Sequence, residues 1–99
     1  PAYIHVFSMC PTGWRCASEI TIKMGRLAVE TGVFPLYEVE NGKYRLTMEV
    51  PEKLRPVKDY LTPQGRFRHL TPSNIERIQE QVHREWEILL NKVECMQPW

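Results

Sequence analysis

Charge of one sign is missing from this sequence. Thirteen Lys and Arg stand against twelve Asp and Glu, which leaves a net charge of +1. No strong field exists to collect nucleic acid or anionic lipid, so neither is an expected partner. Long hydrophobic runs are missing too. None approaches the roughly 18 residues of a membrane span, and the chain is not expected to cross a bilayer. Cysteine is sparse: Cys10, Cys16 and Cys95 are odd in number and unevenly spaced. No pair has the C-x-x-C spacing of zinc or thioredoxin-type sites, and a disulfide scaffold is excluded. Reduced thiols in a cytoplasmic protein are the plain expectation. The sequence also lacks a phosphate loop, a Gly-rich dinucleotide fingerprint, an H-E-x-x-H zinc pair and a nucleophile elbow. It begins at Pro1, with no charged region leading into an apolar one. It therefore reads as a processed chain or a piece of something longer, not as an intact secretory precursor.

What is there suits one small folded unit. Hydrophobic residues make up 42% of the 99 positions and charged ones 25%, which excludes a disordered tail. Residues 2–8 (AYIHVFS) are β-branched and aromatic and read as a buried strand. Cys10-Pro11-Thr12-Gly13-Trp14 reads as a loop, because Pro and Gly lie two positions apart. A helix is predicted over 17–31, with Ser18 as its cap, with Ile20, Met24, Leu27 and Ala28 on one stripe, and with Gly32 as its stop. Gly25 inside it costs about 1 kcal/mol relative to Ala. Residues 34–40 and 44–50 alternate around Asn41-Gly42, a pair suited to a turn in which both central residues need positive φ. An antiparallel hairpin follows. Phe34, Leu36 and either Tyr37 or Val39 face inward from its first strand, and Tyr44, Leu46, Met48 and Val50 share one face of its second.

Residues 51–70 hold three prolines and many charges. They read as a linker with one helical turn near 57–61. Thr71-Pro72 then opens a long helix over 71–96, with Thr as cap and Pro at the first helical position, where its missing N–H costs nothing. Ile75, Ile78, Val82, Trp86, Leu89 and Val93 form its apolar stripe. The opposite face carries Glu76, Arg77, Glu80, Arg84, Glu87 and Asn91. The order is strand, helix and hairpin over 1–50, then linker, then helix. That order is α+β in isolation, or the tail of an α/β sheet. A lone apolar first strand needs neighbours, and nothing else here supplies a parallel sheet.

Few residues point to chemistry on their own. His5 reads as a satisfied buried histidine and His83 as a solvated one. Arg66, Arg68 and His69 form a basic run suited to a carboxylate or phosphate through guanidinium forks. The other reading of that run is a partner interface or a solvated face. Cys10 stands apart, since it leaves a strand directly on a Pro/Gly loop, where a ligand residue faces a cleft beyond the strand's carboxyl end. Thiolate is the natural ligand of iron–sulfur clusters, whose cysteines lie far apart in sequence. Cys16 and Cys95 read as structural. A small autonomous metal site built from Cys10, Cys16 and a histidine is a minor alternative.

Three stretches together carry a resemblance: CPTGW at 10–14, RLAVETGVFPLYEVENG at 26–42 and QGRFRHL at 64–70. They closely resemble the C-terminal part of the thiamine-diphosphate-binding β subunit of pyruvate:ferredoxin oxidoreductase and related 2-oxoacid:ferredoxin oxidoreductases. The resemblance covers nearly the whole chain. It implies the C-terminal portion of an α/β thiamine-diphosphate-binding fold. It also implies oxidative decarboxylation of a 2-oxoacid with coenzyme A, with electrons passing through 4Fe-4S clusters to ferredoxin. In such a subunit Cys10 matches the fourth ligand of a 4Fe-4S cluster, and Gly13 and Trp14 belong to the loop that shields it. The Gly-Asp-Gly signature and downstream Asn that hold magnesium and the diphosphate are absent, and so are the other three cluster cysteines. No catalytic residue carries over. Neither cofactor nor turnover is expected of this chain alone. Its partners would be the rest of the β subunit, the other oxidoreductase subunits and ferredoxin. A rival reading is a non-catalytic module that docks through the 75–93 stripe.

Overall fold

The computed structural model describes residues 2–48 and 53–95. Among these residues it is a mixed α+β unit of four α-helices and one two-stranded antiparallel hairpin. Residues 2–9 form no strand, contrary to the expectation for 2–8. Extended backbone becomes a strand only when another backbone pairs with it. The hairpin is the sole sheet among the described residues, and it does not reach this segment. Tyr3, Ile4 and Val6 are accordingly exposed, while Phe7 and Met9 turn inward onto the core.

The Cys10–Trp14 stretch is not an open loop but one helical turn. Helix α1 spans Pro11–Trp14, with Cys10 extended before it and Arg15 left-handed after it at φ 54°. Pro11 takes the position where a missing N–H costs nothing. A short 3-10 helix, Ser18–Ile20, then leads into α2, Thr21–Glu30. Ser18 is thus not the cap: Ala17 precedes the 3-10 turn and Ile20 precedes α2, and neither gives a side-chain hydrogen bond. Met24, Leu27 and Ala28 bury the expected stripe, with Ile20 half-buried beside it. Gly32 ends the helix at φ +83°. Buried Thr31 donates its hydroxyl to the Leu27 carbonyl at 2.7 Å.

Strands β1, Tyr37–Glu40, and β2, Lys43–Leu46, pair antiparallel with Glu40 opposite Lys43 across Asn41-Gly42. Both turn residues have positive φ, 54° and 78°, as a tight two-residue turn demands. Tyr44 and Leu46 lean on the core from β2. All four residues of β1 are exposed, including Tyr37 and Val39, because only β2 lies against the core. Met48 also packs inward; Val50 lies outside the described residues.

Residues 53–61, within the predicted linker, pack on the core. Leu54, together with Val57, Tyr60 and Leu61 of α3, Val57–Leu61, is buried. Apolar residues spaced among prolines drive this burial, since each removes roughly 1.5–3 kcal/mol of exposed side chain from water. Helix α4, Pro72–Cys95, is the longest element. Thr71 Oγ1 accepts from the Asn74 N–H at 3.2 Å, and Asn74 Oδ1 accepts from the Thr71 N–H at 3.0 Å, a reciprocal cap. Val82, Trp86 and Leu89 of the stripe are buried in the chain's own core. Ile75 and Ile78 are half-buried against it, and Val93 is half-buried in the last turns.

Candidate functional site

Cys10 is exposed. Its backbone is extended while Pro11 begins the helical turn, so its side chain stands over the first turn of α1. Its Sγ accepts the Gly13 N–H at 3.4 Å, and its carbonyl accepts the Trp14 N–H at 2.8 Å. A Cβ at Gly13 would lie 3.4 Å from the same sulfur, in van der Waals contact. The thiol is therefore held at the mouth of a turn, open to solvent, with one amide dipole directed at it. That is a suitable setting for a sulfur that donates to a metal.

Trp14 is buried beside the turn. It is 7% exposed, with its ring 5.4 Å from Phe7 and 6.0 Å from Tyr60 between centroids. Its place in the loop is set from below, by the core. Cys16 lies between α1 and the 3-10 turn, half-buried against the core, and does not begin a helix. Cys95 ends α4.

The basic run divides. Arg66 lies over Trp14 at 4.2 Å from the ring centroid and over Phe67 at 4.6 Å. Its Nε donates to Gln64 Oε1 at 2.7 Å and one of its two terminal nitrogens to the Tyr60 hydroxyl at 3.2 Å. Gln64, 1% exposed, donates in turn to the Tyr60 carbonyl at 2.7 Å. Arg66 is thus tied down within the chain, while Arg68 and His69 are exposed. Buried Gln64 and its link to Arg66 were not legible from the basic run. The one available signal was the aromatic Phe67 between the two arginines, which separates their environments.

His5 is exposed, not buried, with its ring edge-on to Phe34 at 5.0 Å. The missing strand pairing leaves it at the surface. His83 is exposed, as expected, and shares a 3.1 Å hydrogen bond with Gln79. An open apolar groove of about 660 Å³ runs between residues 5–9 and α2, past Ile22, Val29 and Phe34. Among the described residues no three His, Cys, Asp or Glu side chains come together as a metal site. The described donors around Cys10 do not make up a complete metal site.

No protein-family model matches the chain. Curated proteins do. The PorB subunit of pyruvate synthase from Methanocaldococcus jannaschii is 52% identical over 89 residues, covering 90% of this chain and 30% of that protein. The VorB subunit of ketoisovalerate oxidoreductase from Pyrococcus abyssi is 48% identical over 90 residues, with 90% of this chain and 29% of that protein covered. PorB of pyruvate synthase from Thermotoga maritima is 43% identical over 95 residues, at 91% and 29%. The chain spans about three tenths of the length of these relatives. Over nine tenths of its own length, the chain is homologous to the PorB subunits of pyruvate synthase and the VorB subunits of ketoisovalerate oxidoreductase.

Proposed function

We propose that this chain is the C-terminal segment of the β subunit of a 2-oxoacid:ferredoxin oxidoreductase and that Cys10 supplies one ligand to its 4Fe-4S cluster. The observation that carries the reading is the exposed Cys10 sulfur with its Gly13 N–H donor. Hydrogen bonds to ligand sulfurs are one of the levers that set a cluster's reduction potential. The complete subunit would oxidatively decarboxylate a 2-oxoacid, pyruvate by the name of the PorB relatives, to an acyl-coenzyme A. In the complete subunit thiamine diphosphate with magnesium would supply electron-sink chemistry and a 4Fe-4S cluster one-electron chemistry; of this chain's residues, Cys10 would help hold the cluster and none would hold the diphosphate. This chain's own residues hold the sulfur, shape the turn beneath it and pack the wall behind it.

The partners of this reading are the rest of the β subunit and the other oxidoreductase subunits. Ile75 and Ile78 are half-buried stripe residues with surface left for such a contact. A cytoplasmic site of action is part of the same reading. Among the described residues no helix is long and apolar enough to cross a membrane.

The test is the full native polypeptide purified without oxygen. Cys10→Ala should lower iron and acid-labile sulfide per protomer and alter the reduced cluster's paramagnetic signal, while the fold stays intact by circular dichroism. Unchanged iron, sulfide and signal would remove the role given to Cys10.

A further inference from the structure

The turn that presents Cys10 is gripped from one side by a second short segment. The 3-10 helix Gly65–Phe67 lies against α1. The Gly65 N–H donates to the Arg15 carbonyl at 2.9 Å. A Cβ on Gly65 would stand 2.7 Å from the Arg15 Cβ and 3.1 Å from the Arg15 carbonyl oxygen, so the two backbones meet as closely as glycine permits. Arg15 is the left-handed residue that closes α1. One residue on, Arg66 covers Trp14, the last residue of α1, whose N–H closes the turn on the Cys10 carbonyl.

The guanidinium is fixed from three sides. Trp14 and Phe67 offer their faces, Gln64 Oε1 accepts from Nε, and the Tyr60 hydroxyl accepts from a terminal nitrogen. A planar cation has directed donors in addition to its ring contacts, whereas an ammonium offers neither the plane nor the fork. Gln64 and Tyr60 are 1% and 3% exposed and sit in the core. The position of the indole is thereby referred to the rigid part of the molecule and passed on to the Cys10 turn through one backbone hydrogen bond.

Resting on the reading of Cys10 given above, we infer that Arg66 is a positioning residue that fixes the Cys10 thiol through Trp14. Its role is to hold the sulfur where a ligand must lie, without touching the metal itself. A ligand displaced by a fraction of an ångström alters both the occupancy of a cluster and its potential.

The test uses the full native polypeptide in its iron-free form, with iodoacetamide as the probe and peptide mass spectrometry to read each cysteine separately. Arg66→Met should raise the alkylation rate of Cys10 several-fold while Cys16, half-buried nearby, keeps its rate. Arg66→Lys should lie between the two. In the reconstituted protein Arg66→Met should also shift the cluster's midpoint potential. Equal acceleration at Cys10 and Cys16 would mean general loosening, and no change at Cys10 would mean no coupling; either result overturns the inference. If Arg66→Met fails to fold, Tyr60→Phe removes one acceptor alone and should produce a smaller rise confined to Cys10. The Cys10→Ala iron content is read separately. If it is unchanged, the cluster reading fails, while the alkylation rates still decide whether Arg66 holds the thiol.

Discussion

The sulfur of Met9 occupies the place where a side chain at Gly25 would begin. A Cβ built on Gly25 lies 2.6 Å from Met9 Sδ and 2.9 Å from its methyl carbon. The glycine in the middle of α2 therefore has a packing reason. It lets the segment before α1 lie down on the helix. Helix propensity alone favours Ala over Gly by about 1 kcal/mol. In the native chain Gly25→Ala is expected to gain less than this or to lose stability, because Met9 must leave its seat. In a Met9→Ala background the same substitution should stabilise by about 1 kcal/mol. Urea denaturation of the four proteins of this cycle measures the difference. Equal effects in the two backgrounds would show that the glycine has no coupling to Met9.

The features that were legible in the sequence are those decided locally. Asn41-Gly42 demands a left-handed pair whatever surrounds it, and the hairpin formed there. Thr71-Pro72 followed by a 3.6-residue stripe opens α4 at Pro72. The extended propensity of residues 2–8 was also real, but a strand needs a partner backbone, and composition says nothing about where one lies. Pro11 and Gly13 read as a loop because both interrupt long helices, whereas a single turn begun by Pro tolerates them. Arg66 escaped for another reason. Its partners Trp14 and Tyr60 reach it only through the fold, so a run of basic residues concealed a half-buried clamp. The proposal for Cys10 rests on resemblance: the sequence also placed it just after a strand, and that strand does not form.

Gly32 terminates α2 in a conformation that side chains resist. Its φ is +83°, and a Cβ there would meet Leu54 Cδ1 at 2.9 Å and Val82 Cγ1 at 3.3 Å. Conformational strain of a non-glycine residue in such a region costs of the order of 1–3 kcal/mol. The crowding against two core side chains adds to it. Gly32→Ala should therefore lower the unfolding free energy by about 2 kcal/mol or more. A thermal midpoint within a degree of the parent would contradict this account of the turn.

Helix α3 is capped from a distance. The Val57 N–H donates to Gln79 Oε1 of α4 at 2.8 Å, and Val57 is fully buried. Pro56 precedes it and provides no side-chain cap. Gln79→Leu leaves that donor without a protein acceptor, at a cost of about 1–3 kcal/mol. Gln79→Glu keeps an oxygen in reach and places a negative charge at a helix N-terminus, which is favourable. It should stay close to the parent in denaturant titrations. A Gln79→Glu protein as unstable as Gln79→Leu would assign the loss to Gln79's bulk or to its contact with His83.

The apolar stripe of α4 separates two roles along its length. Trp86 is 8% exposed and belongs to the core, as do Val82 and Leu89, whereas Ile78 is half-buried. Truncating a buried Trp to Ala costs about 3–5 kcal/mol, part of it from the cavity left behind. Trp86→Ala should thus broaden or abolish cooperative unfolding, and Trp86→Glu should do so more severely because a charge is buried unpaired. Ile78→Ala should cost less, and its effect should show in association with the other subunits. Light scattering on the assembled protein, set beside denaturation of each variant, distinguishes the two. Dissociation caused by Trp86→Glu with its unfolding midpoint unchanged would move the indole from the core to a partner surface. Loss of folding by Trp86→Glu, with Ile78→Ala folded but weakened in assembly, is the outcome that the packing of α4 requires.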